Sequence, residues 1–339
     1  YIPQMQKFIA ELETKGFCYR SNQNIYFDTS KFSSYADFAR LDLKGQVEGA
    51  RDDVEKDHGK RNPQDFVLWF TSSKFPNQIM KWDSPWGVGF PGWHIECSVM
   101  ASEHLGEHID IHCGGIDHIS VHHTNEIAQS ECHHGHKWVN YWMHGNFLTV
   151  DSGRIGKSKG NAVTVQTLTD AGYDLLHYRY LCLQAHYRGE LLFSYDSLDA
   201  ARNAYESIRN RVVDWGDDRH NSVVISEKAK TYQTAFWDAV EDDLNTSIAL
   251  SHLWGMMKDA SLYVAEKFNL LQDFDQVLGL NFAKMADIDV DPKIKELIDQ
   301  RQQARMDKNF ALSDQIRAEL LERGIVVKDT SDGSVWMKK

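Results

Sequence analysis

The sequence predicts an α/β domain that is followed by a helical bundle and a small α+β C-terminal domain. An alternating run, H-I-D-I-H-C-G-G at 108–115, ends in a glycine pair and leads into the helical run V-H-H-T-N-E-I-A-Q-S. Strand, glycine turn and then helix is the order in which nucleotide-binding α/β folds are built. From 201 to 288, apolar residues recur at helical spacing with few breakers, which predicts a bundle. Asp291 and Pro292 then mark a linker before the last segment.

Residues 1–92 are predicted to hold one helix and several strands. The run F-C-Y-R-S-N-Q-N-I-Y-F-D at 17–28 predicts a hairpin with S-N-Q-N as its turn. The polar stretch Lys31–Lys60 is predicted to form loops, and D-F-V-L-W-F at 65–70 a buried strand. An amphipathic helix is predicted over 1–15, with an apolar face made of Ile2, Met5, Phe8, Ile9 and Leu12.

Residues 93–200 are predicted to add a parallel pair of strands, a loop and a helix. The second strand of the pair is W-V-N-Y-W-M-H at 138–144, and a helix lies between the two strands. The loop, D-S-G-R-I-G-K-S-K-G-N at 151–161, is rich in glycine and lysine and is suited to holding polyphosphate. One amphipathic helix is predicted over T-L-T-D-A-G-Y-D-L-L-H-Y-R-Y-L-C-L at 167–183.

The last segment is predicted to form two helices and a short β segment. The helices span Ile294–Met306 and Leu312–Arg323, and Gly324 caps the second. The β segment ends at Trp336. In the preceding bundle, Trp254, Met256 and Met257 are assigned to the core, and Asp242, Asp243 and Asn245 to a helix boundary.

His122 and Glu126 lie one helical turn apart and therefore face the same way. Cys97, in G-W-H-I-E-C-S, is expected to supply a thiolate from the end of a strand. Zn²⁺ accepts such a mixed set of nitrogen, oxygen and sulfur ligands. The three residues are therefore a candidate zinc site.

Composition and charge limit the class of protein. The chain has 42% hydrophobic residues, and no stretch approaches eighteen apolar residues, so no membrane span is predicted. Its five cysteines form no C-x-x-C pair, which predicts reduced thiols in a cytoplasmic protein. The net charge is −12, yet residues 291–339 carry ten Lys/Arg against nine Asp/Glu. The acidic main part argues mildly against nucleic acid as a partner, and the near-neutral tail is a separate module.

Together these motifs resemble the bacterial type of cysteinyl-tRNA synthetase, a class I aminoacyl-tRNA synthetase. The resemblance rests on G-W-H-I-E-C-S, H-H-x-N-E-I-A-Q-S, Y-W-M-H-G, A-H-Y-R, D-D-L-N-T and the closing G-I-V-V-K-D-T…G-S-V-W, which occur in the family's order. The family usually begins with a further segment that contains H-I-G-H and another zinc-binding cysteine. Neither occurs here. The sequence is therefore expected to be a fragment that is inactive alone, or else a short paralogue.

The resemblance implies an activity and a domain plan. The activity is ATP- and Mg²⁺-dependent conversion of L-cysteine to cysteinyl adenylate and transfer to tRNA-Cys, by a monomer with one zinc-bound substrate thiolate. The implied segments are a catalytic-domain insertion at 1–92, the second half of a Rossmann-like catalytic domain at 93–147, a signature-loop and stem-contact region at 148–200, a helical bundle at 201–288 and an anticodon-recognition domain at 289–339.

The resemblance also assigns residues. Cys97, His122 and Glu126 hold Zn²⁺, with Cys113 or water expected at the position of the missing cysteine. Trp93 and His112 line the amino-acid pocket. Asp117 meets adenosine, and the remaining ATP-binding residues are Gly114, Gly115, Lys157 and Ser158.

Lys157 is the residue expected to stabilise the phosphorus transition state and the departing pyrophosphate. It lies in R-I-G-K-S, which stands where the family has K-M-S-K-S. Arg154 and Gly156 therefore replace the first lysine and the middle serine. Arginine supplies charge but is not the same compact donor.

In the tail, Trp336 is expected either to stack on an unpaired anticodon base or to pin the tail against the last helix. Basic side chains on the two helices are further RNA-binding candidates: Arg301, Arg305, Lys308 and Arg317.

Two other functions remain open at this point. One is the related ligase that joins cysteine to an amino sugar in mycothiol synthesis, which shares the zinc and phosphate motifs but does not need the tail at 291–339. The other is a non-catalytic tRNA-binding remnant.

Overall fold

The computed structural model describes residues 1–42, 59–72, 77–150, 153–154, 163–282, 291–330 and 333–338. These residues fall into two units, Tyr1–Asn146 and Phe147–Lys339. The division of the chain into five segments stays a prediction.

The first unit begins with the predicted helix and hairpin. Helix α1 (Ile2–Thr14) buries the face that carries Met5, Phe8, Ile9 and Leu12. Strands β1 (Cys18–Ser21) and β2 (Asn24–Phe27) pair antiparallel. Asn22 and Gln23 between them both have positive φ, +43° and +68°, as a two-residue type I′ turn requires. The helix and the hairpin are confirmed.

The hairpin extends into a four-stranded antiparallel sheet in the order β1-β2-β3-β4. Strand β3 (Phe66–Phe70) is the predicted buried strand, and β4 (Phe90–Pro91) pairs with it. The part of the predicted loop region that precedes residue 43 consists of turns and a short 3₁₀ segment, Thr29–Lys31. Residues 43–58 lie outside the described residues.

A strand–helix–strand unit completes the first unit and positions the candidate site. Helix α2 (Trp93–Leu105) precedes strand β5 (Ile109–Gly115). A 3₁₀ turn (Ile116–His118) and one π turn (Ile119–His123) lead into α3 (Thr124–His134). Strand β6 (Val139–Gly145) then pairs with β5 in parallel, as predicted.

The second unit begins with a three-stranded sheet and two short helices. The sheet has the order β8-β7-β9 and consists of β7 (Leu148–Val150), β8 (Gly153–Arg154) and β9 (Leu191–Phe193).

The prediction of one helix over 167–183 is wrong. The structure has α4 (Val165–Asp170) and α5 (Leu175–Leu183) instead. Gly172, at φ +81°, ends the first helix, and the Asp174 carboxylate caps the second by accepting from Leu176 N at 2.8 Å. Local capping therefore outweighs the continuous amphipathic pattern.

The predicted bundle is confirmed, and its described residues contain the helices α6 (Tyr195–Asp214), α7 (Glu227–Glu241), α8 (Thr246–Lys258) and α9 (Val264–Leu278). Met256 and Met257 lie in its core and Trp254 packs against it, as predicted. Asp242, Asp243 and Asn245 connect α7 to α8. Asn245 caps α8 through Ile248 N, and Asp243 accepts from Tyr187 Oη at 2.6 Å.

The C-terminal segment contains α10 (Pro292–Met306), α11 (Phe310–Glu322) and a hairpin of β10 (Ile325–Thr330) and β11 (Gly333–Lys338). Trp336 is only 4% exposed and packs with Ile316 and Leu320 of α11. The Arg209 guanidinium lies 4.7 Å from its ring centre and donates to its carbonyl at 2.6 Å. Of the two expectations for Trp336, stacking on RNA is therefore wrong for this conformation. The other, that the ring pins the tail against the last helix, agrees with the structure.

Two of the basic side chains predicted to contact RNA form ion pairs within the protein instead. Arg301 is 1% exposed and donates to both oxygens of Asp329 at 3.0 Å. Arg305 contacts the same carboxylate at 2.9 Å. Lys308 and Arg317 are exposed.

None of the helices in the described part of the chain combines the length and apolar character that crossing a bilayer requires.

Candidate metal and substrate site

Cys97, His122 and Glu126 come together in the first unit. Their ligand atoms all lie within 4.8 Å of one another. Cys97 reaches this position from within α2, so the expectation that it lies at a strand end is wrong. The run W-H-I-E-C-S-V-M continues as a helix because Gly92 begins it and no breaker follows. His122 lies on the π turn, a distortion that often marks functional positions in helices.

Glu126 is fully buried between two histidines. Its carboxylate oxygens lie 2.7 Å from His122 Nε2 and 3.0 Å from His112 Nε2. Burial raises the pKa of Glu126, but hydrogen bonds from His112 and His122 outweigh it and lower the pKa to about 2. Glu126 is therefore a buried anion at neutral pH, which a cation would stabilise.

Burial, followed by the nearby Glu126 carboxylate, raises the pKa of the Cys97 thiol to about 12. Cys97 is therefore protonated at neutral pH in the absence of a cation. A metal ion would have to displace this proton, since only the thiolate is a strong ligand. The donor set of sulfur, imidazole and carboxylate fits Zn²⁺.

His94 is a residue of this site that the sequence reasoning missed. Its Nδ1 lies 2.8 Å from His122 Nδ1. Burial, followed by His122, lowers the pKa of His94 to about 3, so His94 is neutral. With a metal ion on His122 Nε2, His94 Nδ1 can accept a hydrogen bond from His122 Nδ1–H. That bond would leave His122 Nε2 facing the metal group, as a second partner commonly does for a ligating histidine. The available signal was its position three residues before Cys97, on the same helix face.

The two residues predicted to line the amino-acid pocket border the metal group. His112 contacts the Glu126 carboxylate from β5. Trp93 is 59% exposed, and its ring centre lies 4.3 Å from that of His122. An exposed aromatic face beside a ligand is suited to covering a small substrate. Cys113 is exposed and belongs to no metal-ligating group among the described residues.

The glycine pair at the end of β5 allows the chain to pass close to two histidines. A Cβ on Gly114 would lie 2.4 Å from His123 Cε1 and 2.9 Å from His118 Nδ1. A Cβ on Gly115 would lie 2.5 Å from Asp117 Oδ1. Asp117 itself is exposed on the 3₁₀ turn after the strand. The turn therefore offers backbone groups and a carboxylate at the carboxyl end of a parallel strand, where α/β folds bind ligands.

Gly114→Ala is expected to destabilise the first unit by about 1–3 kcal/mol, because the added methyl group forces the His123 ring out of position. Gly145→Ala is the matched control on the neighbouring strand, since nothing lies within 4 Å of its added Cβ. Chemical denaturation of the ligand-free proteins compares the two. Equal stability of both variants would contradict the close approach at Gly114.

Lys157 and Ser158 lie outside the described residues, as does Gly156. Arg154 is described only as part of the backbone of β8. The predicted role of this loop in phosphate binding stays a prediction.

Comparison with known proteins identifies the family. Residues 1–203 match the model of the tRNA synthetases class I (C) catalytic domain, and residues 287–336 match that of the cysteinyl-tRNA ligase anticodon binding domain. The chain belongs to the cysteinyl-tRNA synthetase family. The resemblance inferred from the sequence motifs is thereby confirmed.

Curated members of this family match the chain over nearly its whole length. The cysteine–tRNA ligase of Treponema denticola is 41% identical over 366 residues, which cover 100% of this chain and 74% of that protein. The cysteine–tRNA ligase of Borreliella burgdorferi is also 41% identical, covering 98% and 73%. Cysteine–tRNA ligase 1 of Burkholderia lata is 42% identical, covering 98% and 69%.

A solved structure supports the fold class of this cysteinyl-tRNA synthetase family member. Methionyl-tRNA synthetase of Mycobacterium tuberculosis bound by methionyl-adenylate superposes with a TM-score of 0.51, covering 84% of this chain and 72% of that one. At 13% identity the likeness concerns the fold alone. The prediction of a class I synthetase fold is confirmed.

Proposed function

We propose that this chain acts in the ATP-dependent attachment of L-cysteine to tRNA-Cys and holds Zn²⁺ through Cys97, His122 and Glu126. The observation that carries the proposal is the convergence of Cys97 and His122 on the buried carboxylate of Glu126, in a member of the cysteinyl-tRNA synthetase family. When bound, Zn²⁺ offers a soft ligand position that accepts the thiolate of cysteine, whereas the hydroxyl of serine is a harder and far more basic ligand. Selectivity then follows from ligand chemistry and does not depend on pocket size.

The protein residues prepare this position. Glu126 stays ionised at neutral pH, and His94 orients His122. His112 occupies one oxygen of Glu126 and so limits how the carboxylate can turn. Trp93 is proposed to cover the cysteine side chain from the exposed side.

ATP with Mg²⁺ is proposed to bind at the end of β5. Gly114 and Gly115 would admit the nucleotide close to the backbone, and Asp117 would accept from its sugar hydroxyl groups. Lys157 and Ser158 are proposed to meet the phosphates, with Lys157 as the catalytic cation. The cytoplasmic location and the monomeric state also stay predictions.

The match of 287–336 to an anticodon-binding domain supports tRNA as the acceptor and disfavours the amino-sugar alternative. Because Arg301 and Arg305 are engaged with Asp329, the exposed Lys308 and Arg317 are the better candidates for contacts with phosphates.

Arg317→Ala is expected to weaken tRNA-Cys binding and to reduce the salt dependence of log K by about one unit, since each phosphate contact releases about one counterion. Binding is measured for wild type and variant across a salt series. Lys230→Ala provides the control, because Lys230 is an exposed lysine of α7 outside the matched segment. An unchanged salt slope for Arg317→Ala would exclude this contact.

The zinc and cysteine roles can be tested by binding alone. The protein is loaded with Co²⁺, whose absorption reports thiolate ligands, and L-cysteine or L-serine is added. We expect a new sulfur-to-cobalt charge-transfer band when cysteine is added and no new band when serine is added. In Cys97→Ala we expect no new band with either amino acid. If this band were equally strong after the addition of cysteine and after the addition of buffer alone, the proposed substrate position would be refuted.

A further inference from the structure

Another group of metal-ligating side chains, which shares no residue with the groups around Glu126, lies in the first unit, where α2 and α3 end. Glu107 follows Gly106 after α2, His134 is the last residue of α3, and His136 comes just after Gly135. The ligand atoms of Glu107, His134 and His136 all lie within 4.8 Å of one another. We infer that these three residues form a binding site for a divalent first-row transition metal.

This site is separate from the one at Cys97, and the two share no side chain. Glu126 and His134 belong to the same helix, α3, and are eight residues apart. At a rise of 1.5 Å per residue they are about 12 Å apart along the helix axis. One ion cannot contact both, so two ions would bind independently.

The two histidine rings are held in place by neighbouring groups. His136 Nδ1 lies 3.0 Å from the Lys137 carbonyl oxygen. A proton on Nδ1 donated to that oxygen leaves the Nε2 lone pair for a metal, the arrangement commonly seen around ligating histidines. His134 Nε2 lies 3.2 Å from Ser102 Oγ, which orients the second ring from α2, and its Nδ1 lies 3.4 Å from His133 Nδ1. A metal ion on His134 would replace one of these two long contacts.

His133 supports this arrangement from the other side. Its ring stacks on Phe8 at a centroid distance of 3.6 Å, and its Nε2 lies 2.6 Å from Glu11 Oε2. The Phe8 ring also meets His134 edge to face at 5.9 Å. The end of α3 is therefore fixed against α1 before any ion arrives.

The chemistry of the ligands selects the class of ion. Two imidazoles and one carboxylate favour Zn²⁺, Co²⁺, Ni²⁺ or Cu²⁺, whereas Mg²⁺ and Ca²⁺ favour sites made of oxygen alone. Glu107 and His136 are exposed, so an ion can enter from solvent and keep water ligands.

His108 is a matched control beside the cluster. It is exposed, and its ring centre lies 6.1 Å from that of His136. Its Nδ1 lies 2.9 Å from the Lys137 carbonyl oxygen and its Nε2 3.1 Å from Asn140 Oδ1. His108 belongs to none of the groups of converging ligand atoms among the described residues, so it is expected to contribute nothing to the metal.

The test is a Zn²⁺ titration of the full chain against a chromophoric chelator. Wild type is expected to bind two ions and His136→Ala one. In a Cys97→Ala, His112→Ala background, which removes a ligand from each of the two groups that share Glu126, His136→Ala should weaken binding by more than about tenfold, since even outer-shell partners of a ligand are worth that much. His108→Ala should change it by less than about twofold. The melting temperature without metal verifies that each variant folds.

Two results would overturn the inference. One is that the Cys97→Ala, His112→Ala protein binds no zinc, or that adding His136→Ala leaves its zinc binding unchanged. The other is an equal loss in His108→Ala, which would show diffuse binding by surface histidines. Neither result bears on the proposed cysteine site, whose failure would show in the cobalt spectrum with cysteine.

Discussion

Cys97→Ala is expected to lose the tightly held zinc, with an affinity lowered by more than about a hundredfold, because outer-shell changes alone cost about 10–100-fold. Cys97 provides the sulfur of the proposed ligand set, and the remaining His122 and Glu126 already pair with each other at 2.7 Å. Without the thiolate an ion would have to separate that pair and would gain one ligand fewer. The zinc retained after dialysis against a chelator measures the effect.

The fold should tolerate this change. Cys97 is only partly buried, and alanine is the residue best suited to the middle of a helix such as α2. The metal-free melting temperature of Cys97→Ala should therefore stay close to that of wild type. Cys113→Ala is the matched control, since Cys113 is exposed on β5 and should retain the zinc. Equal zinc content in wild type and Cys97→Ala would show that the ligand assignment is wrong.

Trp336→Ala is expected to destabilise the C-terminal segment by about 3–5 kcal/mol, the usual cost of truncating a buried tryptophan. The ring packs with Ile316, Leu320 and Val327 and lies under the Arg209 guanidinium, so its removal leaves a cavity and removes the cation–π contact with Arg209. Thermal unfolding followed by near-ultraviolet circular dichroism measures the loss. Any effect on tRNA binding should follow from this unfolding.

Two further variants separate packing from RNA stacking at this position. Trp336→Phe keeps much of the buried apolar surface and should recover a large part of the stability. Phe310→Ala removes an aromatic ring of α11 that is 58% exposed and should change stability by less than about 0.5 kcal/mol. If Trp336→Ala kept the melting temperature of wild type and lost tRNA affinity, the result would contradict the buried position of the ring. It would favour a direct contact between the ring and the RNA.

Features that depend on neighbouring residues in the chain were predictable from the amino-acid sequence. The apolar face of α1, the turn at Asn22 and Gln23, and the alignment of His122 with Glu126 all follow from local periodicity and turn chemistry. The family could also be inferred, because its motifs are short, specific and in order. These features need no knowledge of how distant segments pack.

Features that depend on segments far apart in the chain became visible only in the folded structure. Cys97 reaches the site from a helix, His94 supports His122 across α2 and the π turn, and Glu126 is paired by a second histidine from β5. Likewise, Trp336 and Arg301 could be read as RNA contacts until Arg209 and Asp329 were found beside them. The physical reason is that burial and the pairing of charges depend on the whole fold, whereas a sequence window reports only which side chains share a face.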